Sequence, residues 1–287
     1  MIKKNVAGIV VLYNPDEYVI DNIISYIYQI DKLFIIDNSD KSIEFVSVFV
    51  KSNPSTKYIF NGNNLGVAAA LNTGAKLAID EGYEFLLTMD QDSFASEGMV
   101  EKMIEQTRNE KNVGLIVPRY IDKIECSTST DLRYLLCEKT SGNILNLESF
   151  KQVGLFREDY FIDYVDVEYG YRLNLNKWKL IKVNSAVLYH NEGQIVAKKW
   201  FFKFVHPYNY PPLRYYYRTR NLLLLKKEYR RAYPDAISHE LKIYLINLIK
   251  MILYEPDKIK KIKMIATGIF HYYKKYTGKF IAGNFSK

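Results

Sequence analysis

Short, mainly apolar runs alternate with longer segments of helical period over the first 120 residues. Val6-Ala7-Gly8-Ile9-Val10-Val11-Leu12-Tyr13, Leu33-Phe34-Ile35-Ile36, Tyr58-Ile59-Phe60, the run from Tyr83 to Met89, and Val113-Gly114-Leu115-Ile116-Val117 have the length and branched or aromatic content of buried strands. Asn14-Pro15-Asp16 opens a helix after the first run, with proline close to its first turn. An Ala-rich helix is predicted from Val67 to about Asp80. This alternation predicts an α/β fold: a mainly parallel, Rossmann-like sheet with right-handed crossovers and helices on both faces. Beyond Pro118 the pattern loosens. Residues 121–150 read as strands and loops that extend the sheet, Asp163 to Asn176 as a helix, and Leu180 to His190 as a strand. From Ala197 the chain is helical, aromatic and basic, which divides it into 1–197 and a C-terminal region 198–287.

Four of the strands end in polar clusters: Tyr13-Asn14, Asp37-Asn38, Asn63-Asn64-Leu65-Gly66 and Asp90-Gln91-Asp92. In a parallel sheet all four lie along one edge, where open α/β sheets bind their ligands. Amides and carboxylates there can hydrogen-bond a base and a ribose. Gly66 allows close backbone approach, and the helix beginning near Val67 offers free N–H groups. Asp90 and Asp92 stand two apart at the end of an apolar strand, so an extended chain would turn both carboxylates the same way, towards one hard cation. Magnesium or manganese takes such oxygen ligands and leaves room for a diphosphate. Any one of these clusters alone is equally well an ordinary surface turn.

Charge is divided unevenly. Residues 1–197 carry 20 Lys and Arg against 27 Asp and Glu, a net −7; residues 198–287 carry 20 against 5, a net +15. The basic end points to an anionic surface, and the acidic remainder argues against nucleic acid. In Leu241 to Tyr254 the polar Lys242, Asn247 and Lys250 fall within about 140° of a helical wheel. That helix is only about 21 Å long, too short to cross a bilayer, so it either lies in an anionic membrane surface, its lysines and those at 258, 260, 261 and 263 towards lipid phosphate, or packs on protein, including a second copy as a homodimer. The N-terminus has no apolar signal core, and the two cysteines, Cys126 and Cys137, make no disulfide framework, which favours a cytoplasmic setting. No G-x-G-x-x-G follows the first strand, which disfavours a dinucleotide-dependent dehydrogenase.

Gly62-Asn63-Asn64-Leu65-Gly66-Val67-Ala68-Ala69-Ala70-Leu71-Asn72-Thr73-Gly74, followed by Asp90-Gln91-Asp92-Ser93, resembles the family 2 glycosyltransferases with a GT-A fold. Within them the chain is similar to the bacterial rhamnosyltransferases that build surface polysaccharides. The likeness continues through Ser141-Gly142, Phe161-Ile162-Asp163-Tyr164-Val165-Asp166-Val167-Glu168, Arg172, His190 and Arg218-Thr219-Arg220-Asn221, and so covers roughly residues 5–225.

The resemblance implies a GT-A catalytic region over 1–197, with a nucleotide-sugar half (1–120) and an acceptor half (121–197), followed by a helical lid and contact region. It implies nucleotide-sugar binding by Tyr13, Asn14, Asp37, Asn38, Asn64, Gly66, Asn72, Asp90, Gln91 and Arg220. It places Asp166 where the family has its catalytic base, with Asp163 the alternative base; the carboxylate that usually precedes it is Val165 here, and Asp163 or Glu168 would have to supply that charge. On a helix Asp163 and Asp166 share a face while Glu168 turns away. Mg2+ or Mn2+ would sit at Asp90 and Asp92, with His190 either a third ligand or a structural hydrogen-bonder. Arg218 and Arg220 are either a diphosphate-gripping lid or helix-surface charge. The implied activity is inverting transfer of L-rhamnose from dTDP-β-L-rhamnose to a lipid-linked saccharide by an enzyme peripheral to the inner face of the cell membrane. The rivals are the same fold with a UDP-hexose donor, and a non-catalytic sugar-nucleotide-binding protein.

Overall fold

A computed structural model of the protein describes residues 5–121, 132–190, 198–200, 203–205 and 207–281. Cys126 lies outside them. The chain forms two compact units: residues 1–158 with 165–191, and residues 159–164 with 192–287.

The first unit is built on a nine-stranded sheet. Its elements are β1 (Val6–Leu12), α1 (Tyr18–Ile27), β2 (Lys32–Asp37), α2 (Glu44–Ser52), β3 (Thr56–Phe60), α3 (Val67–Asp80), β4 (Phe85–Asp90), β5 (Ser93–Ala95), α4 (Met99–Thr107), β6 (Val113–Ile121), β7 (Leu132–Leu135), β8 (Asn143–Asn146), α5 (Leu147–Val153), α6 (Val165–Leu175) and β9 (Lys179–His190). The strand order is β3-β2-β1-β4-β8-β6-β9-β5, with β7 on β9. β1 to β4 pair in parallel, as the alternation of strand and helix predicts. Their apolar runs are buried on both faces: Ile9, Val10, Leu12, Leu33 to Ile36, Leu86 and Leu87 have no exposed surface. Beyond β4 the sheet is mixed. β8 inserts antiparallel between β4 and β6, β6 and β9 are parallel, and β5 and β7 run antiparallel to β9. A two-residue turn leads from β4 into β5, which pairs with β9 and not with β4.

The predicted helix 163–176 begins later, at Val165. Asp163 and Tyr164 lie outside it with φ of 63° and 66°, so Asp163 and Asp166 are not stacked on one helical face. Glu168, taken from the wheel as turned away, is fully buried and grips Arg172 one turn on, with Nε–Oε1 and Nη2–Oε2 both 2.9 Å. Arg172 also donates to the carbonyls of Val153 and Leu155, fastening α6 to the segment after α5.

The second unit contains a small hairpin, β10 (Lys198–Trp200) and β11 (Lys203–Val205), and three helices: α7 (Pro212–Tyr229), α8 (Pro234–Tyr254) and α9 (Lys258–Tyr273). Helices α7 and α9 approach closely where Gly268 faces α7; a Cβ there would lie 2.7 Å from the Tyr216 carbonyl oxygen. Phe161, Tyr216 and Tyr217 form an aromatic core with Met264 and Phe280. Two expectations for the basic tail are corrected here. Asn247 is buried, not on an outward polar face. Lys261 is buried too, its Nζ 2.7 Å from Glu255 Oε2, while Tyr215 Oη donates to the same oxygen at 2.8 Å.

Candidate active site

The register of the parallel strands brings their carboxyl ends level. Leu12 stands beside Asp37, Asp37 beside Phe60, and Val11 beside Asp90. The polar clusters that follow these strands therefore meet at one edge, and hydrogen bonds join them. Tyr13 N–H donates to Gln91 Oε1 (2.8 Å), and Asn14 N–H to Ser39 Oγ (2.8 Å). Asn22 Nδ2 donates to the Gln91 carbonyl (2.8 Å), which holds the turn after β4 onto α1. Asn38 Nδ2 donates to the Gly66 carbonyl (3.2 Å) and its Oδ1 accepts from Asn61 Nδ2 (2.9 Å). Asn64 Oδ1 accepts the Gly66 N–H (2.9 Å), closing a tight turn. Gly66 itself has φ 90°, ψ 162°, a conformation almost confined to glycine, and the chain enters α3 directly from it.

Asp37 is fully buried, and its carboxylate is held from both sides: the Ser39 N–H donates to Oδ1 at 2.8 Å and Tyr58 Oη to Oδ2 at 2.5 Å. Burial, then the bond to Asp37, raises the Tyr58 hydroxyl pKa, so it remains a donor at any physiological pH. Tyr13, Asn14 and Asp92 are exposed on the edge, and Asp90, Gln91 and Asn64 are half-buried.

Asp90 is the last residue of β4, and Gln91 and Asp92 form the turn into β5. The alternation of an extended strand thus stops at Asp90 and does not set the direction of Asp92. The Asp90 N–H donates to Ser141 Oγ (3.0 Å), which donates in turn to Ser93 Oγ (2.7 Å). Tyr120 Oη lies 2.8 Å from the Ser141 carbonyl oxygen, 3.1 Å from that of Lys139 and 3.1 Å from Asn143 Oδ1. Its burial, then the negative charges of Glu138, Asp90 and Asp166, hold its pKa well above the usual tyrosine value. Asp166, in the first turn of α6, therefore shares an electrostatic environment with Asp90 within this unit. Its Oδ1 accepts the N–H of Val167 at 2.9 Å. His190 ends β9 directly across from Ser93, the residue after Asp92; its side chain lies outside the described residues.

Two of the residues named from the sequence are placed elsewhere. Asn72 is buried inside α3, where its amide exchanges hydrogen bonds with the Phe156 main chain (2.8 and 2.9 Å) and donates to Glu158 Oε1. It ties α3 to a distant loop, with no part of the amide open to the edge. Arg220 has no exposed surface, and all five of its N–H donors are used: by Asn221 Oδ1, Tyr216 Oη and the carbonyls of Gly278, Asp159 and Tyr160 (2.8–3.1 Å). Nothing is left for a diphosphate. Arg218 is half-buried above the rings of Tyr208 and Tyr210, and neighbouring Arg214 pairs with Asp163 at 3.3 Å. Sequence reasoning did not select Tyr58, Tyr120 or Ser39 as supports of the edge. Only Ser141-Gly142 carried a local signal, through the family likeness.

A nine-stranded GT-A sheet with an acidic turn at the end of β4 defines a nucleotide-diphospho-sugar transferase fold. The model of "Glycosyl transferase family 2" matches residues 9–157, just over half of the chain, and the protein belongs to that family of glycosyltransferases. It is 26% identical over 298 aligned positions to the dTDP-rhamnosyl transferase RfbF of Shigella flexneri, covering 91% of this chain and 93% of that protein. Among solved structures it is similar to GalNAc-T7 crystallised with UDP, GalNAc and Mn2+, at 14% identity and a TM-score of 0.56, over 64% of this chain. The match spans 43% of the GalNAc-T7 chain, and at that identity it speaks to the fold alone.

Proposed function

We propose that the protein transfers L-rhamnose from dTDP-β-L-rhamnose, with inversion, to a lipid-linked saccharide in surface polysaccharide assembly. The observation that carries the reading is the hydrogen-bonded edge at the carboxyl ends of β1 to β4, in a chain alignable almost end to end with a dTDP-rhamnosyl transferase. Tyr13, Asn14 and Asn64 line the place for the nucleoside, with buried Asp37, Asn38 and Gly66 fixing the loops beneath it and Gln91 locking the first loop to the acidic turn. Asp166 takes the proton from the acceptor hydroxyl as that oxygen attacks the anomeric carbon. The bond to the diphosphate oxygen breaks in the same displacement, so dTDP leaves and the product is an α-L-rhamnoside.

Among the described residues no three or more His, Cys, Asp and Glu side chains are grouped to hold a metal. Two carboxylates at one turn suit a magnesium or manganese ion that completes its shell with diphosphate oxygens better than one caged by protein. Asp90 and Asp92 would hold such an ion, with His190 the candidate third ligand, and it would offset charge on the departing diphosphate. Ser141 Oγ accepts the main-chain N–H of Asp90 and so holds the turn that carries the carboxylate. Ser141→Ala is expected to lower kcat/KM by about 10- to 100-fold, the usual cost of losing a support behind a metal ligand. Because the Asp90 N–H and Ser93 Oγ lose a buried partner, stability should fall as well, by about 1–3 kcal/mol; an unchanged manganese-dependent nucleotide shift would mark Ser141 as merely structural.

A thermal-shift comparison of dTDP-rhamnose, dTDP and UDP, with and without manganese, tests the donor. Ligand at about 100 times its Kd stabilises the fold by about 2.7 kcal/mol. A manganese-dependent rise with dTDP compounds alone is the expected result. A rise with UDP compounds would transfer the reading to a UDP-hexose donor, and none with any nucleotide would overturn both.

A further inference from the structure

We infer that the outward apolar face of α9 is the surface by which this protein lies on an anionic lipid bilayer. The observation is that α9, like α8, turns apolar residues outward. On α9 the exposed residues include Ile259, Ile262, Ile269, Phe270 and Tyr273, of which Ile259 and Tyr273 are 72% and 76% exposed. At about 100° per residue these fall within an arc of about 100°, an amphipathic face left in contact with solvent. Its opposite side is the packed one, where Lys261, Gly268 and His271 are buried. On α8, Leu245, Ile246, Ile249, Ile252 and Leu253 are exposed in the same way, while Tyr244, Asn247 and Met251 are buried. Neither stripe is a scatter of single surface residues, which would need no explanation.

The occupant follows from the charges beside the stripe. On the α9 wheel, exposed Lys258 and Lys263 flank the apolar arc on its two sides, and Lys274 and Lys275 follow Tyr273. Lysines at the rim of an apolar face, with aromatic residues at one end, fit acyl chains beneath and phosphates around them. A second copy of the chain would bring the same lysines together in an isologous contact, which like charges oppose. Spanning is not available either, because no helix among the described residues is long and apolar enough to cross a membrane. The inference deepens the lipid-linked-acceptor reading and rests on it for its purpose, since a bilayer-bound enzyme meets such an acceptor where it resides.

The test is sedimentation of the full-length protein with vesicles of phosphatidylethanolamine and phosphatidylglycerol, against vesicles of phosphatidylcholine. The unaltered protein should sediment with the anionic vesicles and lose binding as salt is raised. The pair Ile262→Glu with Phe270→Glu, and separately the pair Lys258→Gln with Lys263→Gln, should each reduce partitioning on the order of tenfold. All four positions are outside the packed side of α9, so Tm and the nucleotide-induced thermal shift should not change. Failure of the unaltered protein to sediment overturns the inference, as does equal sedimentation with phosphatidylcholine or parental binding by both pairs. A dimer in size-exclusion chromatography that Ile262→Glu dissociates, without vesicle binding, assigns the face to a second copy and also overturns it. The nucleotide shift reports separately on the donor site, so a failed donor reading and a failed membrane surface give different results.

Discussion

Asp166→Asn is expected to lower kcat by about 10²- to 10⁴-fold, the range for loss of a positioned general base. The substitution keeps the side chain's shape and its Oδ1, which accepts the Val167 N–H in the first turn of α6, so the helix start should survive. What is lost is the ability to take a proton. Donor binding, read by the nucleotide-induced thermal shift, should be unchanged, which separates chemistry from folding. Glu168→Gln is the informative contrast. Glu168 is buried in a two-point contact with Arg172, so its substitution should appear in Tm first. Turnover by Asp166→Asn at the parental rate would remove Asp166 from the mechanism, and only an absence of turnover in the unaltered protein would open the non-catalytic reading.

Arg220→Ala is expected to destabilise the second unit by about 3–5 kcal/mol, a large part of the total stability of an ordinary domain. Its guanidinium is fully buried and delivers five hydrogen bonds, three of them to main-chain carbonyls at Asp159, Tyr160 and Gly278. Removing it leaves a void beside Tyr216 and Tyr217 and leaves the Gly278 carbonyl without this donor. Arg220→Lys should not rescue, because one ammonium cannot reach acceptors spread around a planar fork. Urea unfolding followed by circular dichroism measures the effect. A diphosphate-binding arginine would behave differently: the variant would fold normally and lose nucleotide affinity, and that outcome would refute the structural role.

The parts of the fold legible in the sequence are those that depend on neighbours along the chain. Apolar runs with turn residues behind them located β1 to β4, and their shared direction placed Asp37, Asn38, Asn64, Gly66 and Asp90 on one edge. The insertion of β8 between β4 and β6 was not legible, because pairing order is settled by packing between segments far apart in the chain, about 55–61 residues for β4 with β8 and about 30 for β6 with β8, not by any local preference. The residues misread as ligand-facing have the same cause. Asn72 answers to Phe156 and Arg220 to Asp159 and Tyr160, partners that no spacing rule connects. Lys261 and Asn247 look like surface residues by type, and tertiary contacts buried both. Wheel arguments say which residues share a helix face, but not which face is turned inward. On α8 the apolar arc was legible and its outward orientation was not.

The six residues Asp159–Tyr164 belong to the second unit although both flanking stretches belong to the first. Phe161, Asp163 and Tyr164 hold positive φ values, a conformation costing about 1–3 kcal/mol each for residues with a side chain. The donors of Arg220 and Asn221 hold them there: Asn221 Nδ2 reaches the carbonyls of Tyr160, Ile162 and Asp163. The polypeptide is therefore stitched, and no single scissile position separates the two units. A fragment ending at residue 191 would carry Asp159–Tyr164 with its carbonyls deprived of these donors, directly before the helix that bears Asp166. A fragment starting there would lack a segment of its own core, with Tyr217 deprived of the Phe161 ring stacked on it at 5.1 Å. Excision of either half would be a folding experiment, not a way of isolating its activity.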